Sequence, residues 1–191
     1  MTSITLHYFF LLLSLLISTT RASNAPKPNL VNKSCIHASY PEICIRTLSS
    51  YGGAASTPRD LAQAAVKISL AHVRKTSDFL SQMKGNGGKR EQGALYDCLE
   101  QMGDSVEDLS KTMAELKHLR RGGADFRWQM SNVETWVSAA LTNEDTCLDG
   151  FKEINVKVRS DVRRKITNAA RVTSNALYLI NLLDESRGKN P

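Results

Sequence analysis

Hydrophobic residues recur at helical spacing in four long stretches of this chain. In the second stretch they alternate in steps of four and three, a spacing that places them on one face of an α-helix. This stripe consists of Leu95, Leu99, Met102, Val106, Leu109, Met113 and Leu116. The first stretch runs from about Asp60 to Gln82 and follows Thr57 and Pro58, a capping residue and a proline suited to the first helical position. Each stripe predicts an amphipathic helix whose apolar face packs against partner helices.

The third and fourth stripes contain a few polar residues in the same helical frame. The third begins after Asp125 and consists of Phe126, Met130, Val133, Val137, Ala140, Glu144, Cys147 and Phe151. The fourth consists of Val162, Ile166, Ala169, Thr173, Ala176, Ile180 and Leu183. Their spacing predicts core positions of a helical bundle rather than ligand-binding positions.

Short glycine-containing links separate the predicted helices. Residues 85–88 read Gly-Asn-Gly-Gly and residues 120–123 read Arg-Arg-Gly-Gly. Short links between long helices favour antiparallel neighbours. The sequence therefore predicts an all-α protein in which an up-down-up-down four-helix bundle over residues 57–185 follows an N-terminal helical hairpin and linker over residues 23–56. A flexible tail is expected over residues 186–191.

The N-terminus has the features of a secretion signal. Residues 4–17 form a mostly apolar run, too short to span a bilayer but typical of the core of a signal peptide. Thr20 and Ala22 place small residues at the positions that favour cleavage after Ala22. We therefore expect a signal peptide over residues 1–22. The mature protein is expected to be secreted into the extracellular space, with no membrane association.

Composition narrows the class of protein further. The 191 residues are 41% hydrophobic and carry a formal net charge of +6. The hydrophobic content excludes a disordered tail, and the positive charge of a secreted protein favours weak attraction to acidic polysaccharide over binding to nucleic acid. The chain contains no G-x-S-x-G, Walker A, H-E-x-x-H or C-x-x-C motif. We therefore expect a binding protein rather than an enzyme, with no metal and no cofactor.

The four cysteines point to disulfide bonds. An even number of cysteines in an oxidising compartment indicates two bridges, and three pairings are compatible with the sequence alone. Cys98 near the start of one predicted helix and Cys147 near the end of the next would lie level in antiparallel helices, which favours a Cys98–Cys147 bridge. Cys35 and Cys44 then remain as the second pair and would close the helical hairpin.

Acidic residues accompany the second apolar stripe. Glu100, Asp104 and Glu107 are spaced four and three residues apart and therefore share one face of the predicted helix. The face is either an ordinary solvated surface or an interaction surface.

Asn32 with Lys33 and Ser34 forms a sequon for N-glycosylation, which secretion would make available for modification.

Three segments carry a resemblance to a known family. They are Cys35-x8-Cys44, Ala-Leu-Tyr-Asp-Cys-Leu-Glu over residues 94–100, and Thr-Trp-Val-Ser-Ala-Ala-Leu-Thr-Asn-Glu-Asp-Thr-Cys-Leu-Asp-Gly-Phe over residues 135–151. Over about residues 29–183 the chain resembles the plant invertase and pectin methylesterase inhibitor family. The resemblance implies a disulfide-bridged four-helix bundle with a helical hairpin, in which the first two cysteines pair with each other and the last two do likewise.

The resemblance also implies a partner and a contact surface. Residues 121–128 lack the Pro-Lys-Phe element typical of invertase inhibitors, and residues 135–147 are similar to pectin methylesterase inhibitors and to the inhibitory pro-regions of the esterases. Because a pro-region would precede a catalytic domain and the chain stops at Pro191, we expect a free-standing pectin methylesterase inhibitor. Members of that branch form a one-to-one complex that covers the pectin-binding cleft of the esterase. The family's contact residues correspond to Glu100, Asp104, Glu107, Thr146 and Asp149. If these acids approach carboxylates of the enzyme, binding should tighten as the pH falls.

Two other functions remain as alternatives. An inhibitor of cell-wall or vacuolar acid invertase would share the fold and the cysteines. A secreted helical carrier or wall-binding protein would require a lipid-sized cavity inside the bundle.

Overall fold

The computed structural model of the chain describes residues 28–53, 55–83, 88–120, 123–154 and 156–188. The described residues form six α-helices and no strands, so the all-α class is confirmed. They are α1 (Pro28–Cys35), α2 (Pro41–Ser49), α3 (Pro58–Ser81), α4 (Lys89–Lys117), α5 (Gly123–Gly150) and α6 (Val156–Gly188). The last helix ends later than the residue 185 predicted for the bundle. The predicted signal peptide, most of the glycine link at 85–88 and residues 189–191 lie outside the described residues.

The four long helices surround one apolar core. Helix α4 packs against α3 and α5, and α6 packs against α5 and α3, so each long helix has two neighbours. The α3–α6 pair and the α4–α5 pair therefore lie on opposite sides of the bundle. The apolar stripes supply the core, with Leu61, Met102, Leu109, Met130 and Ile166 at 1% exposure or less. No helix among the described residues is long and apolar enough to cross a membrane.

Helix α3 begins at the capping signal that the sequence contains. The hydroxyl of Thr57 accepts a hydrogen bond from the backbone N–H of Asp60, and the carboxylate of Asp60 accepts one from the backbone N–H of Thr57. Pro58 occupies the first turn, where its missing N–H leaves no bond unmade. This reciprocal cap places the start of α3 two residues before the predicted Asp60.

The N-terminal hairpin consists of α1 and α2 and is held by one disulfide and one amide clamp. Cys35 and Cys44 are bonded, with their Cα atoms 5.7 Å apart. The buried side chain of Asn175 on α6 accepts a hydrogen bond from the backbone N–H of Tyr40 at 3.0 Å and donates one to the carbonyl of Tyr40 at 2.9 Å. The hairpin is therefore fixed to the bundle at the turn that precedes α2.

The second disulfide joins two long helices. Cys98 on α4 and Cys147 on α5 are bonded, and their Cα atoms lie 4.3 Å apart. Both predicted pairings are thus confirmed. The bridge brings the N-terminal part of α4 against the C-terminal part of α5, which is where the candidate contact residues lie.

Candidate functional site

The Cys98–Cys147 disulfide lies at the base of a surface groove between α4 and α5. The groove is lined by Ala94, Asp97, Cys98, Glu100, Gln101, Thr146, Cys147, Asp149 and Gly150. Three of the five predicted contact residues, Glu100, Thr146 and Asp149, are therefore brought together here. All three are exposed, while the two cysteines beneath them are buried. A covalent crosslink under the surface fixes the two helices before any partner arrives.

Asp104 and Glu107 do not line the groove. Both are exposed on α4, four and seven residues beyond Glu100. At a rise of 1.5 Å per residue they extend the acidic face along the helix by about 6 Å and about 10 Å. We use the name "acidic surface" for Glu100, Asp104, Glu107, Thr146 and Asp149 together.

Two members of the acidic surface already have cationic neighbours. Glu107 accepts an ion-pair contact from the Nζ of Lys111 at 2.7 Å, and this hydrogen bond lowers the pKa of Glu107. The carboxylate of Asp149 lies 2.8 Å from the Nζ of Lys152. The residues of both pairs are exposed, so the pairs exchange readily with other partners in solution.

Thr146 is exposed and lines the groove together with Asp149, three residues later on α5. Its hydroxyl donates a hydrogen bond of 2.8 Å to the backbone carbonyl of Thr142 one turn earlier. The hydroxyl proton is thereby used within the helix. Thr146 is consequently prepared to accept a hydrogen bond from a partner.

The structure adds residues that the sequence reasoning did not select. Asp97 and Gln101 line the groove next to the disulfide. Tyr96 is 72% exposed and lies one helical turn before Glu100, on the outward face of α4. All three residues lie within three positions of Cys98 in the sequence, and this proximity is the only feature from which a place near the groove could have been predicted. An exposed tyrosine beside charged residues is typical of the centre of a protein interface.

A buried carboxylate lies one turn before Cys147, inside the bundle. Glu144 is fully buried, and its Oε1 accepts hydrogen bonds from the hydroxyls of Ser105 and Thr173. Its Oε2 has no hydrogen-bond partner among the described residues. Burial raises the pKa of Glu144 to about 7, although the two hydroxyls act in the opposite direction. The carboxyl group of Glu144, protonated below about pH 7, therefore links α4, α5 and α6.

The described residues contain no group of three or more His, Cys, Asp or Glu side chains arranged to hold a metal ion. His72 is half-buried and has both a side-chain contact and a shifted pKa. Its Nδ1 lies 3.1 Å from the side-chain nitrogen of Asn168, and burial together with Lys75 lowers its pKa.

Asn32 lies on α1 with an exposed side chain, so the sequon is accessible.

The protein is a helical bundle crosslinked by two disulfides, and its acidic surface lies over one of them. This architecture is typical of proteins that present a rigid surface to a partner. Residues 29–179 match the family described as plant invertase/pectin methylesterase inhibitor. The chain belongs to this family, which consists of enzyme inhibitors rather than enzymes.

Individual relatives and solved structures agree with this assignment. Pectinesterase inhibitor 3 of Arabidopsis thaliana is 51% identical over 179 residues, which cover 90% of this chain and 87% of the relative. The 21 kDa protein of Daucus carota is 41% identical over 174 residues, covering 88% of this chain and 90% of the relative. A crystal structure of a mutant form of a pectin methylesterase inhibitor from Arabidopsis has the same fold, with a TM-score of 0.64 and 23% identity over 78% of this chain and 93% of that one.

Proposed function

We propose that the protein is a secreted inhibitor of plant pectin methylesterase that acts in the apoplast and cell wall and regulates the demethylesterification of pectin. Membership of the inhibitor family and the names of the relatives support this proposal. The observation that carries it is the groove over the Cys98–Cys147 disulfide, where Glu100, Thr146 and Asp149 are exposed together.

The inhibitor binds the esterase one-to-one through its acidic surface and covers the pectin-binding cleft. The surface is built on two helices that a disulfide holds together, so little conformational entropy is lost on association. The acidic surface has the same sign of charge as a carboxylate-rich cleft, so the two repel each other when both are ionised. Proton sharing between facing carboxylates must therefore accompany binding, and affinity increases as the pH falls.

Two further features belong to the same proposal. The predicted signal peptide over residues 1–22 directs the chain to the wall, and glycosylation at Asn32 occurs on the hairpin, on a different element from the acidic surface. The net positive charge gives the mature protein a weak general attraction to acidic wall polysaccharide.

Invertase is retained as the control target because the family includes inhibitors of both enzymes. The carrier alternative gains no support, because the void between α2, α3 and α6, lined by residues such as Leu48 and Val172, is only about 10 Å³. That space is too small for a lipid chain.

The test is a titration of the purified, oxidised mature protein against a plant pectin methylesterase, with acid release from methylated pectin as the readout. We expect activity to be lost with an endpoint at equimolar inhibitor, and acid invertase to be unaffected. Inhibition of invertase with full esterase activity would contradict the proposal.

Variants locate the contact. Glu100→Ala with Asp149→Ala should raise the inhibition constant about tenfold or more, because both side chains that contact the enzyme from the groove are truncated. Asp78→Ala truncates an exposed acid on α3, on the opposite pair of helices, and serves as the control. An equal effect of both changes would show that net charge rather than the groove is responsible.

A further inference from the structure

Charge is segregated between the two sides of the bundle. Helix α3 contains four Lys and Arg and two Asp and Glu, and α6 contains four and three over residues 160–186, the part of α6 whose side chains the structure describes. Helix α4 contains four and seven, and α5 contains one and five, of which Glu144 is buried in the core. These side chains give the α3–α6 pair a formal charge of +3 and, without Glu144, give the α4–α5 pair −6. The acidic surface accounts for the second side, whereas the proposed inhibition leaves the basic side without a role.

The basic side contains a groove along α6. It is lined by Ser160, Arg163, Arg164, Lys165, Thr167, Asn168 and Arg171. Ser160, Arg164, Thr167 and Arg171 recur at four- and three-residue intervals, and the groove spans about 16 Å at the rise of an α-helix. The cations at 163–165 are followed by the hydroxyl and amide side chains of Thr167 and Asn168 and then by Arg171. A second groove continues past Arg171 along the hairpin, where it is lined by Tyr40 and Pro41 among others.

Most of the positive charge in the α6 groove is uncompensated. Arg163 makes no ion pair among the described residues, and the guanidinium of Arg171 lies 5.3 Å from the centre of the Tyr40 ring rather than against an acid. Arg164 has one acidic neighbour, Asp161, at 3.0 Å. Glu42 is the acid in the adjoining groove. Lys75 on α3 adds positive charge near the groove. It lies close enough to His72 to lower the pKa of that histidine, and His72 contacts Asn168 in the groove.

These features fit a linear polymer that carries a carboxylate on each sugar. The guanidinium group of arginine binds carboxylates through paired hydrogen bonds. Cations repeated along one helix therefore suit a polymer whose carboxylates are repeated along its length. Thr167 and Asn168 offer hydrogen bonds to sugar hydroxyls between the charged positions. The exposed ring of Tyr40 at the end of the groove offers an apolar face to a sugar ring.

We propose that the α6 groove, from Ser160 to Arg171 and on to Tyr40, is a binding site for a linear polyuronate, the de-esterified product of the esterase. This choice of ligand rests on the proposed function, because ester hydrolysis of methylated pectin is the reaction that supplies the free carboxylates. The acidic surface and the α6 groove lie on opposite sides of the bundle. The inhibitor therefore holds the enzyme with one side and the enzyme's own product with the other, which retains it where demethylesterification has occurred.

The test measures binding of the oxidised mature protein to soluble polygalacturonate by affinity electrophoresis, with fully methylesterified pectin as the uncharged counterpart. We expect binding to polygalacturonate, loss of that binding at high salt, and little binding to the methylated polymer. Equal binding to both polymers would overturn the proposal. So would binding to an acidic protein or to anionic lipid vesicles as strong as that to polygalacturonate.

Two matched triple variants separate the groove from net charge. Arg163→Gln, Arg164→Gln and Arg171→Gln remove three cations from the α6 groove, and we expect the dissociation constant for polygalacturonate to rise about tenfold or more. Lys67→Gln, Arg74→Gln and Lys117→Gln remove three cations from another basic groove, between α3 and α4, and should raise it less than about threefold. Similar effects of the two triples would overturn the proposal.

Folding and inhibition are measured on the same preparations. Arg163→Gln alone, at an exposed residue without an ion pair, should weaken polygalacturonate binding about twofold to threefold even if the triple variant folds poorly. Wild type and the α6 triple should inhibit the esterase equally. Loss of inhibition in all preparations, with groove-dependent binding retained, would refute the proposed function alone. Inhibition without polyuronate binding would refute only the inference about the α6 groove.

Discussion

The hydroxyl of Thr173 on α6 donates a hydrogen bond of 2.9 Å to Oε1 of Glu144 on α5. Ser105 on α4 donates a second hydrogen bond of 3.0 Å to the same oxygen. One carboxyl group therefore links three of the four long helices at a point where no water-exposed surface is available to it. A carboxylate in this position is costly when ionised and tolerable when protonated.

Replacement of Glu144 by glutamine should change how stability depends on pH. The pKa of Glu144 is raised by burial from 4.5 to about 7 in the folded protein. Below pH 4.5 the folded and unfolded states are both protonated and the group has no linkage effect. As the pH rises from 4.5 to about 7, Glu144 ionises in the unfolded state but stays protonated in the folded state, so the free energy of unfolding falls by up to about 3 kcal/mol and levels off at higher pH. Glu144→Gln should remove this penalty.

The measurement is urea unfolding of wild type and Glu144→Gln at about pH 4 and about pH 8. We expect the variant to gain about 3 kcal/mol relative to wild type between the two values. A constant difference across that range would show that the pKa of Glu144 is the same in the folded and unfolded states, which contradicts the prediction.

Removal of the two disulfides should have separable effects. In the chain-entropy account, a bridge that closes 49 residues contributes more than one that closes 9, about 4 against about 3 kcal/mol. Cys98→Ala with Cys147→Ala should lower the free energy of unfolding and also weaken esterase inhibition, because the groove lies over this bridge. Cys35→Ala with Cys44→Ala should destabilise the hairpin and leave inhibition intact. Equal loss of inhibition in both double variants would contradict this assignment.

Tyr96 should contribute strongly to binding of the esterase. It is 72% exposed and lies one turn before Glu100, so a partner on the acidic surface would cover its ring. Tyr96→Ala should raise the inhibition constant about tenfold or more, as aromatic residues at interface centres do.

The matched control for Tyr96 is Trp128→Ala. Trp128 is 70% exposed, near the opposite end of α5, about 27 Å along the helix from Thr146. It should leave inhibition unchanged. Inhibition that depends on Trp128 and not on Tyr96 would move the contact to the other end of the bundle.

Arg59 should stabilise the bundle by capping a neighbouring helix. Its guanidinium donates hydrogen bonds of 2.8 to 3.1 Å to the backbone carbonyls of Leu116, Lys117 and Leu119, at the C-terminal end of α4 and just beyond it. A cation is favourable there because the helix dipole places partial negative charge on those carbonyls. Arg59→Ala should cost about 2 kcal/mol in thermal or urea unfolding. Arg74→Ala, an exposed arginine on the same helix, should cost little.

The start of α3 shows why part of the fold was predictable. Thr57, Pro58 and Asp60 are within four residues of each other, and the reciprocal hydrogen bonds of the cap involve only these local groups. The Arg59 cap was not predictable in the same way. Its acceptors are 57 to 60 residues away, and nothing in the sequence around Arg59 indicates where the end of α4 will be placed.

Glu144 shows the same limit inside the core. The third apolar stripe places Glu144 in the core frame, and the fourth does so for Thr173. The sequence therefore predicted that both would be buried, but not that they would meet. Ser105, 39 residues from Glu144, lies on a third helix and completes the arrangement.

Local patterns in the sequence are enough to predict the helices and the face of α4 that carries Glu100, Asp104 and Glu107. The 3.6-residue period of the helix converts residue spacing into a face without reference to the rest of the chain. The oxidising compartment expected for the cysteines likewise follows from one short segment, the predicted signal peptide. Which of the predicted contact residues lie next to each other depends instead on the tertiary structure. Glu100 joins Thr146 and Asp149 because the Cys98–Cys147 bridge and core packing set α4 against α5, whereas Asp104 and Glu107 lie further along α4. The distance between side chains on different helices depends on packing of the whole bundle, which no local pattern specifies.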